Sequence, residues 1–470
     1  MARRTSELGQ VWAVSDSSSL RISLSKMALG DAGRNPGPRE VRLGEQFIRA
    51  NGQAFAHFDV SVRLAPTPEG VDVVMQTGQT IGALPLYSPS TGRSDLGLVI
   101  RPRFGWRGLG AILSETGARV IPELPRLPAL PRSEHEVPRW VLASIICARL
   151  EALLLEPQRK FLQRNEDLDR PRGRVEWNKY VSRVAICQPH KVPCEFSTLT
   201  ADDSLMSAVH ATVLAQLRAL ERVKDDALAV SRLLARFERL RLKVSEFHPT
   251  WTGLDRLANR MRSGIFAEAI EAMEWTYEER GLAGSALLAG LPWRLSMEKA
   301  FEARVEALAH LIAIQSGGIV RTGRLRQTQR PLQWDPPYVG SQRTLLPDVE
   351  IVRGSELVIL DAKYKSHWEE LDDRGWFGTS DTLREAHRAD LLQVLAYGAT
   401  SEARRLVCAL IYPCKAATWD SLVNRGRLVH KASVPAGSRD VTLLLMAIPF
   451  ERSISELATA LHPWLAPIAH

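Results

Sequence analysis

The tightest constraint in this chain is the run 346–365, which reads Leu-Pro-Asp-Val-Glu-Ile at its start and Leu-Asp-Ala-Lys-Tyr-Lys at its end. Pro347-Asp348 is a turn signal opening an apolar strand, Arg353-Gly354-Ser355-Glu356 is a polar break, and Leu357 to Leu360 runs straight into Asp361-x-Lys363. Residues i and i+2 of a strand point to one face, so Asp361 and Lys363 project together, and Asp348 can face them from the neighbouring strand. Two carboxylates sharing a site repel each other unless a cation lies between them. Hard Mg²⁺, which takes oxygen ligands and keeps several waters, suits such a seat. The plain alternative is a salt-bridged strand pair, but a buried Asp-Asp-Lys cluster is costly to keep without a role. Downstream, Gln393 and Tyr397 are four apart on an expected helix and share one face of it.

That ordered set, Pro-Asp, then Asp-x-Lys, then Gln-x-x-x-Tyr, resembles the PD-(D/E)xK nuclease superfamily. The wording LPDVEI, LVILDAKYK, DLLQVLAYG and LIYP is more narrowly similar to the McrC-like subunits of McrBC-type modification-dependent restriction systems. GRVEWNKYVSR and PCEFSTLTADDSLMSAVHATVLAQL resemble the segment that McrC-like proteins carry ahead of the nuclease domain. The resemblance covers roughly residues 140–450, with the N-terminal third matching only loosely.

The resemblance implies a Mg²⁺-dependent endodeoxyribonuclease, with Mn²⁺ an acceptable substitute. Its metal ligands would be Asp348, Asp361, the Ala362 carbonyl and an acid on the first core helix. Glu302 and Glu298 are the candidates for that acid, and the Phe301-Glu302 pattern points to Glu302. Lys363 would orient or polarise the attacking water, Gln393 would position Lys363 or the phosphate, and Tyr397 would support the scissile backbone. The implied partners are double-stranded DNA, modified or foreign, and a separate AAA+ GTPase or ATPase motor (McrB-like). Two nuclease subunits would pair to cut opposing strands. No G-x-x-x-x-G-K-[ST] occurs, so no nucleotide is expected on this chain itself. Two further readings stand beside this one: a nuclease effector of a different multi-gene defence system, and a DNA-binding scaffold whose nuclease fold is silent.

Composition narrows the setting. A formal charge of +8 and a pI near 9.4 lean towards a polyanionic partner and fit an ordinary basic enzyme equally well. Five cysteines are an odd, sparse set that suggests no disulfide framework, so a cytoplasmic protein is expected. Cys187, His190 and Cys194 offer three zinc ligands rather than four and are read as ordinary residues. The best apolar run, Val141 to Leu155, is broken by Arg149 and Glu151, so no membrane span is expected.

Taken in order, residues 1–35 read as a flexible N-terminus and 36–121 as a β-rich, partner-docking domain of short strands punctuated by Gly and Pro. Within the latter, Arg101 to Gly110 is expected to be a Gly-rich loop. Arg101, Arg103 and Trp106 are its candidate docking residues, the alternative being a solvated strand end with buried aromatics. Pro122, Pro125, Pro128 and Pro131 recur every third position and predict a stiff linker over 122–138. Residues 139–288 read as a helical, basic intermediate domain. In it Arg172, Arg174 and Lys179 interleave with aromatics around a Gly turn, which fits nucleic-acid binding or a structural hairpin equally. Residues 289–470 are expected to form the PD-(D/E)xK endonuclease domain, an α/β/α core with a mixed sheet, in a fold of α+β multidomain class. There Ser296 is a plausible N-cap, Lys365 a phosphate contact by strand parity with Lys363, and Ser366 to Asp390 an irregular loop.

Overall fold

The structure is a computed structural model that describes residues 10–24, 38–68, 70–116, 120–130, 137–156, 159–223, 227–258, 264–282, 290–338, 340–365, 368–369, 381–436 and 439–466. It is a mixed α/β fold that divides into two compact units. The first takes in Met1–Leu142, Lys224–Arg232 and Gly281–His470, and the second Ala143–Val223 and Leu233–Arg280.

A six-stranded mixed sheet organises the C-terminal part of the first unit. Its strand order is Ile319–Thr322, Val349–Arg353, Glu356–Ala362, Arg405–Cys414, Arg439–Pro449, Val429–Ala436. Val349–Arg353 and Glu356–Ala362 form the expected hairpin, with Val349 opposite Leu360 and Arg353 opposite Glu356. Glu356–Ala362 and Arg405–Cys414 then run parallel, as do Arg405–Cys414 and Arg439–Pro449. Parallel neighbours need a crossover, and the helix Asp381–Ala399 supplies the first one. Strands so enclosed are buried on both faces and read as unbroken apolar runs, as Leu357 to Leu360 and Cys408 to Tyr412 do.

The helix Met297–Ser316 packs on the strands Ile319–Thr322, Val349–Arg353 and Glu356–Ala362. Its start is fixed as the sequence predicts: the Ser296 hydroxyl accepts a hydrogen bond from the Lys299 N–H at 3.2 Å. Its end is Gly317, in the left-handed region.

The N-terminal region departs from the expected layout in four ways. First, residues 10–24 are ordered structure rather than a flexible leader, because Gln10–Ser15 pairs in parallel with Leu96–Arg101, and Ser19–Ser23 pairs with Gly70–Thr77. Second, the expected β-rich segment also holds a helix, Pro38–His57, whose Phe47, Asn51 and Phe55 are buried at four-residue spacing. Third, Arg101 to Gly110 is not a loop. Arg101 ends a strand and the helix Gly105–Thr116 follows, burying Leu109, Ile112 and Leu113. Fourth, residues 122–130 are not a free spacer: Glu123 bridges to Arg294 and Leu130 to Gly290. Proline at every third position removes donors and leaves Glu123 and Leu130 free to pair.

The N-terminal sheet also recruits a strand from far along the chain. Its order is Gln10–Ser15, Leu96–Arg101, Thr80–Leu86, Trp293–Ser296. Gly82 permits this, since a Cβ there would lie 2.0 Å from the Trp293 carbonyl oxygen. The residues expected to open a separate nuclease domain at 289 are thus part of the sheet built by residues 10–101.

The second unit holds several helices, Asp203–Glu221 and Gly264–Tyr277 among them. It also contains a three-stranded antiparallel sheet, Arg159–Leu168, Val192–Ala201 and Arg174–Val175, that helical periodicity does not predict. Among the described residues, no helix is long and apolar enough to cross a membrane.

Candidate functional site

The Asp361 carboxylate lies at the C-terminal end of the Glu356–Ala362 strand and is 1% exposed. Strand parity brings Lys363 to the same side, and its Nζ is 2.8 Å from Asp361 Oδ2. Asp348, just before the partner strand, accepts a hydrogen bond from the Ala362 N–H at 2.8 Å. The Asp381–Ala399 helix lays Gln393 over this cluster, and Lys363 Nζ donates to Gln393 Oε1 at 3.0 Å. Gln393 Nε2 in turn donates to the Tyr397 hydroxyl at 2.7 Å, the i, i+4 contact that the sequence spacing predicts.

The electrostatics are those of crowded negative charge. Burial, and then the Asp361 and Glu302 charges, hold Asp348 well above the usual carboxylate range. Burial likewise raises Asp361, against the opposing pull of the Lys363 ammonium. Glu302, on the Met297–Ser316 helix, is pushed up to about 7 by burial and by Glu298, with Asp361 adding to the effect. Burial acts to lower Lys363, but Asp361, Asp348 and Asp390 outweigh it and the amine is raised. Lys363 is therefore held as an ammonium, not poised as a neutral base.

Asp361 Oδ2 is engaged by the Lys363 ammonium, whereas its buried Oδ1 accepts no hydrogen bond. An unsatisfied buried carboxylate oxygen is costly, and its presence beside Asp348 suits a cation. Among the described residues, no three His, Cys, Asp or Glu side chains are arranged as a ready-made metal cage. A pair of carboxylates fits Mg²⁺, which binds through one or two carboxylates and retains waters.

Several residues not singled out from sequence belong here. Asp390, buried and three residues before Gln393, accepts from Lys365 Nζ at 2.6 Å and from the Tyr412 hydroxyl at 3.1 Å. Its spacing from Gln393 was the available signal, hidden by reading 366–390 as loop, whereas residues 381–390 open the helix. Ser366, His367 and residues 370–380 lie outside the described residues. Arg330 pairs with buried Glu350 and also donates to the Tyr397 carbonyl, tying the helix to the Val349–Arg353 strand.

The remaining candidates are placed as follows. The strand stops at Ala362, so parity does not carry on to Lys365, whose amine is engaged by Asp390. Arg172, Arg174 and Lys179 are exposed in the second unit, where the Arg172 guanidinium lies 4.5 Å from the Phe196 ring centroid and Lys179 pairs with Glu176 at 2.5 Å. Arg101 is exposed, whereas Trp106 packs against Trp293 and Arg103 turns inward onto Tyr364.

Fold and site together define an α/β protein with an Asp-Asp-Lys cluster at the end of a mixed sheet, covered by a Gln-bearing helix. The chain belongs to the family described as McrBC 5-methylcytosine restriction system component, whose sequence model matches residues 120–413. No curated protein matches it significantly. Among solved structures it is similar to a refined half-complex from a tetradecameric assembly of Thermococcus gammatolerans McrB AAA+ hexamers with bound McrC. That match has 15% identity, covers 95% of this chain and 100% of the other, and has a TM-score of 0.39. It is also similar to a cryo-EM structure of the Thermococcus gammatolerans McrBC complex, with 13% identity, coverage of 67% and 90% respectively, and a TM-score of 0.26.

Proposed function

We propose that this chain is the Mg²⁺-dependent endonuclease subunit of a McrBC-like restriction complex, with a PD-(D/E)xK-type core, cutting double-stranded DNA when activated by an AAA+ NTPase partner. The observation that carries the reading is the buried Asp361 carboxylate beside Asp348, with one oxygen on the Lys363 ammonium and the other without a hydrogen bond. Membership of the restriction family supports the substrate and the partner.

Asp348 and Asp361 would hold the cation, with the Ala362 carbonyl and Glu302 as the further ligands that the resemblance implies. Bound there, a divalent cation would supply a water of lowered pKa and relief of charge at the phosphate. The chain's own residues do the rest. The Lys363 ammonium, kept charged by its carboxylate neighbours, orients a water and offsets charge growing on the phosphoryl oxygens. Gln393 fixes that ammonium from the far side, and Tyr397 fixes Gln393. Lys365 is held by Asp390 beneath the helix, which leaves its charge near the site but its position set.

The test is cleavage of methylated and unmethylated plasmid with Mg²⁺ or Mn²⁺, with the chain alone and with a McrB-like AAA+ protein plus GTP or ATP. Cutting that needs the motor and a nucleotide supports the restriction-subunit reading. Cutting without any motor points to a stand-alone defence nuclease, and DNA binding without cutting under any condition to a scaffold.

A further inference from the structure

Tyr364 lies between Lys363 and Lys365, yet it points away from both, into the N-terminal sheet's side of the first unit. It is 2% exposed, and its hydroxyl donates to Asp16 Oδ2 at 2.8 Å. Its carbonyl oxygen accepts from Gln79 Nε2 at 3.0 Å. Its ring lies among Phe104, Phe301 and Phe450, with the Arg103 guanidinium 4.2 Å from the ring centroid. Asp16 is itself buried and accepts from the Arg103 N–H at 2.6 Å.

A phenylalanine would satisfy the three surrounding aromatic rings, so packing alone does not call for the hydroxyl. Asp16 is itself held by the Arg103 N–H at 2.6 Å and by its guanidinium at 3.6 Å, so the hydroxyl ties Tyr364 to a carboxylate whose own position is fixed. What that tie sets is the local backbone. The Lys363 N–H makes a bond to the Ile411 carbonyl at 2.8 Å, and the Lys365 N–H turns back onto the Lys363 carbonyl at 2.8 Å. Tyr364 is the middle residue of that tight turn. Pinning it fixes the stem from which the Lys363 ammonium reaches Asp361 and Gln393.

We propose that Tyr364 is a positioning residue for Lys363, anchored by Asp16 and Gln79, so that residues flanking the strands of the N-terminal sheet form part of the nuclease's working apparatus. The proposal rests on the nuclease reading for its catalytic consequence and on geometry alone for its positional one. Sub-ångström to ångström misplacement of a catalytic group lowers rates by one to two orders of magnitude, which sets the expected size.

The experiment compares wild type, Tyr364→Phe, Asp16→Asn, the double variant and Gln79→Ala, all as the full chain. Two quantities are read: single-turnover plasmid cleavage with the AAA+ partner beside the Kd for DNA, and the acylation rate of Lys363 by mass spectrometry in the chain alone. Tyr364→Phe and Asp16→Asn should each slow cleavage about tenfold at unchanged Kd. The double variant should be no worse than the poorer single one, because both act on the same Tyr364–Asp16 contact. Lys363 should acylate severalfold faster in each, and Gln79→Ala, which leaves the aromatic cluster intact, should show the same direction. Wild-type cleavage and labelling in Tyr364→Phe would overturn the proposal, as would losses that multiply in the double variant. If wild type never cuts, the nuclease reading fails, and the labelling rates still decide whether Tyr364 positions Lys363.

Discussion

Asp348 Oδ2 accepts the Ala362 N–H at 2.8 Å, so the carboxylate that precedes one strand is tied to the backbone that ends the next. The same bond sets Asp348 beside Asp361, whose charge adds to burial in raising Asp348. Asn at 348 keeps an acceptor for Ala362 and removes the repulsion. Asp348→Asn is therefore expected to raise metal-free stability by about 0.5–2 kcal/mol while abolishing cleavage. Thermal melts in EDTA beside plasmid assays check both halves. A variant that is less stable and still active would contradict the placement.

Glu302 titrates near 7 in the folded protein against an ordinary 4.5, mainly through burial. The folded state therefore binds an extra proton between those two values. The contribution is fully present below about 4.5 and is lost as pH rises through about 7. Glu302→Gln cannot lose that proton, so its metal-free Tm should fall less than that of wild type across this window. Mg²⁺ should raise the wild-type Tm more above about pH 7 than below it, because binding displaces the proton. Parallel Tm profiles for wild type and variant would remove Glu302 from the site.

Gln393 is the one described side chain that joins Lys363 to the covering helix at hydrogen-bond distance. Gln393→Ala should slow single-turnover cleavage by about 10–100-fold with DNA affinity little changed. Tyr397→Phe removes only the acceptor for Gln393 Nε2 and should cost less than about tenfold. Equal losses from both would indicate that Tyr397 touches the substrate directly.

Arg304 is fully buried and donates to Glu115 at 2.7 Å and to the Pro449 carbonyl at 3.0 Å. Removing one partner of a buried pair leaves an uncompensated charge, which costs about 3–5 kcal/mol. Glu115→Ala should lose that much in urea unfolding, whereas a double Arg304→Met, Glu115→Leu change should lose much less. A Glu115→Ala loss under about 1 kcal/mol would mean the pair is solvated.

The clustering of the candidate residues was legible because their spacing follows local geometry. Period-two alternation places Asp361 with Lys363, and the four-residue helical step places Gln393 with Tyr397. The Ser296 cap followed from an equally local signal. What stayed hidden depended on distant pairing. Nothing local marks Trp293–Ser296 as the fourth strand of a sheet begun at Gln10, nor Arg103 as a partner of Tyr364 rather than of an outside surface. The helix Pro38–His57 was missed because Gly and scattered polar residues there mimic turn punctuation, although Phe47 and Phe55 keep helical spacing. Asp390 was masked by a polar composition that suits both a loop and the first turns of a helix.

The most direct test of the central claim is the plasmid cleavage rate against Mg²⁺ concentration for wild type and Lys363→Ala, with the AAA+ partner present and DNA binding measured in parallel. The account predicts saturable, Mg²⁺-dependent cutting by wild type and a loss of at least about a thousandfold in Lys363→Ala, with DNA affinity retained. Equal cutting by the two proteins, or cutting by wild type that persists in EDTA, would contradict it.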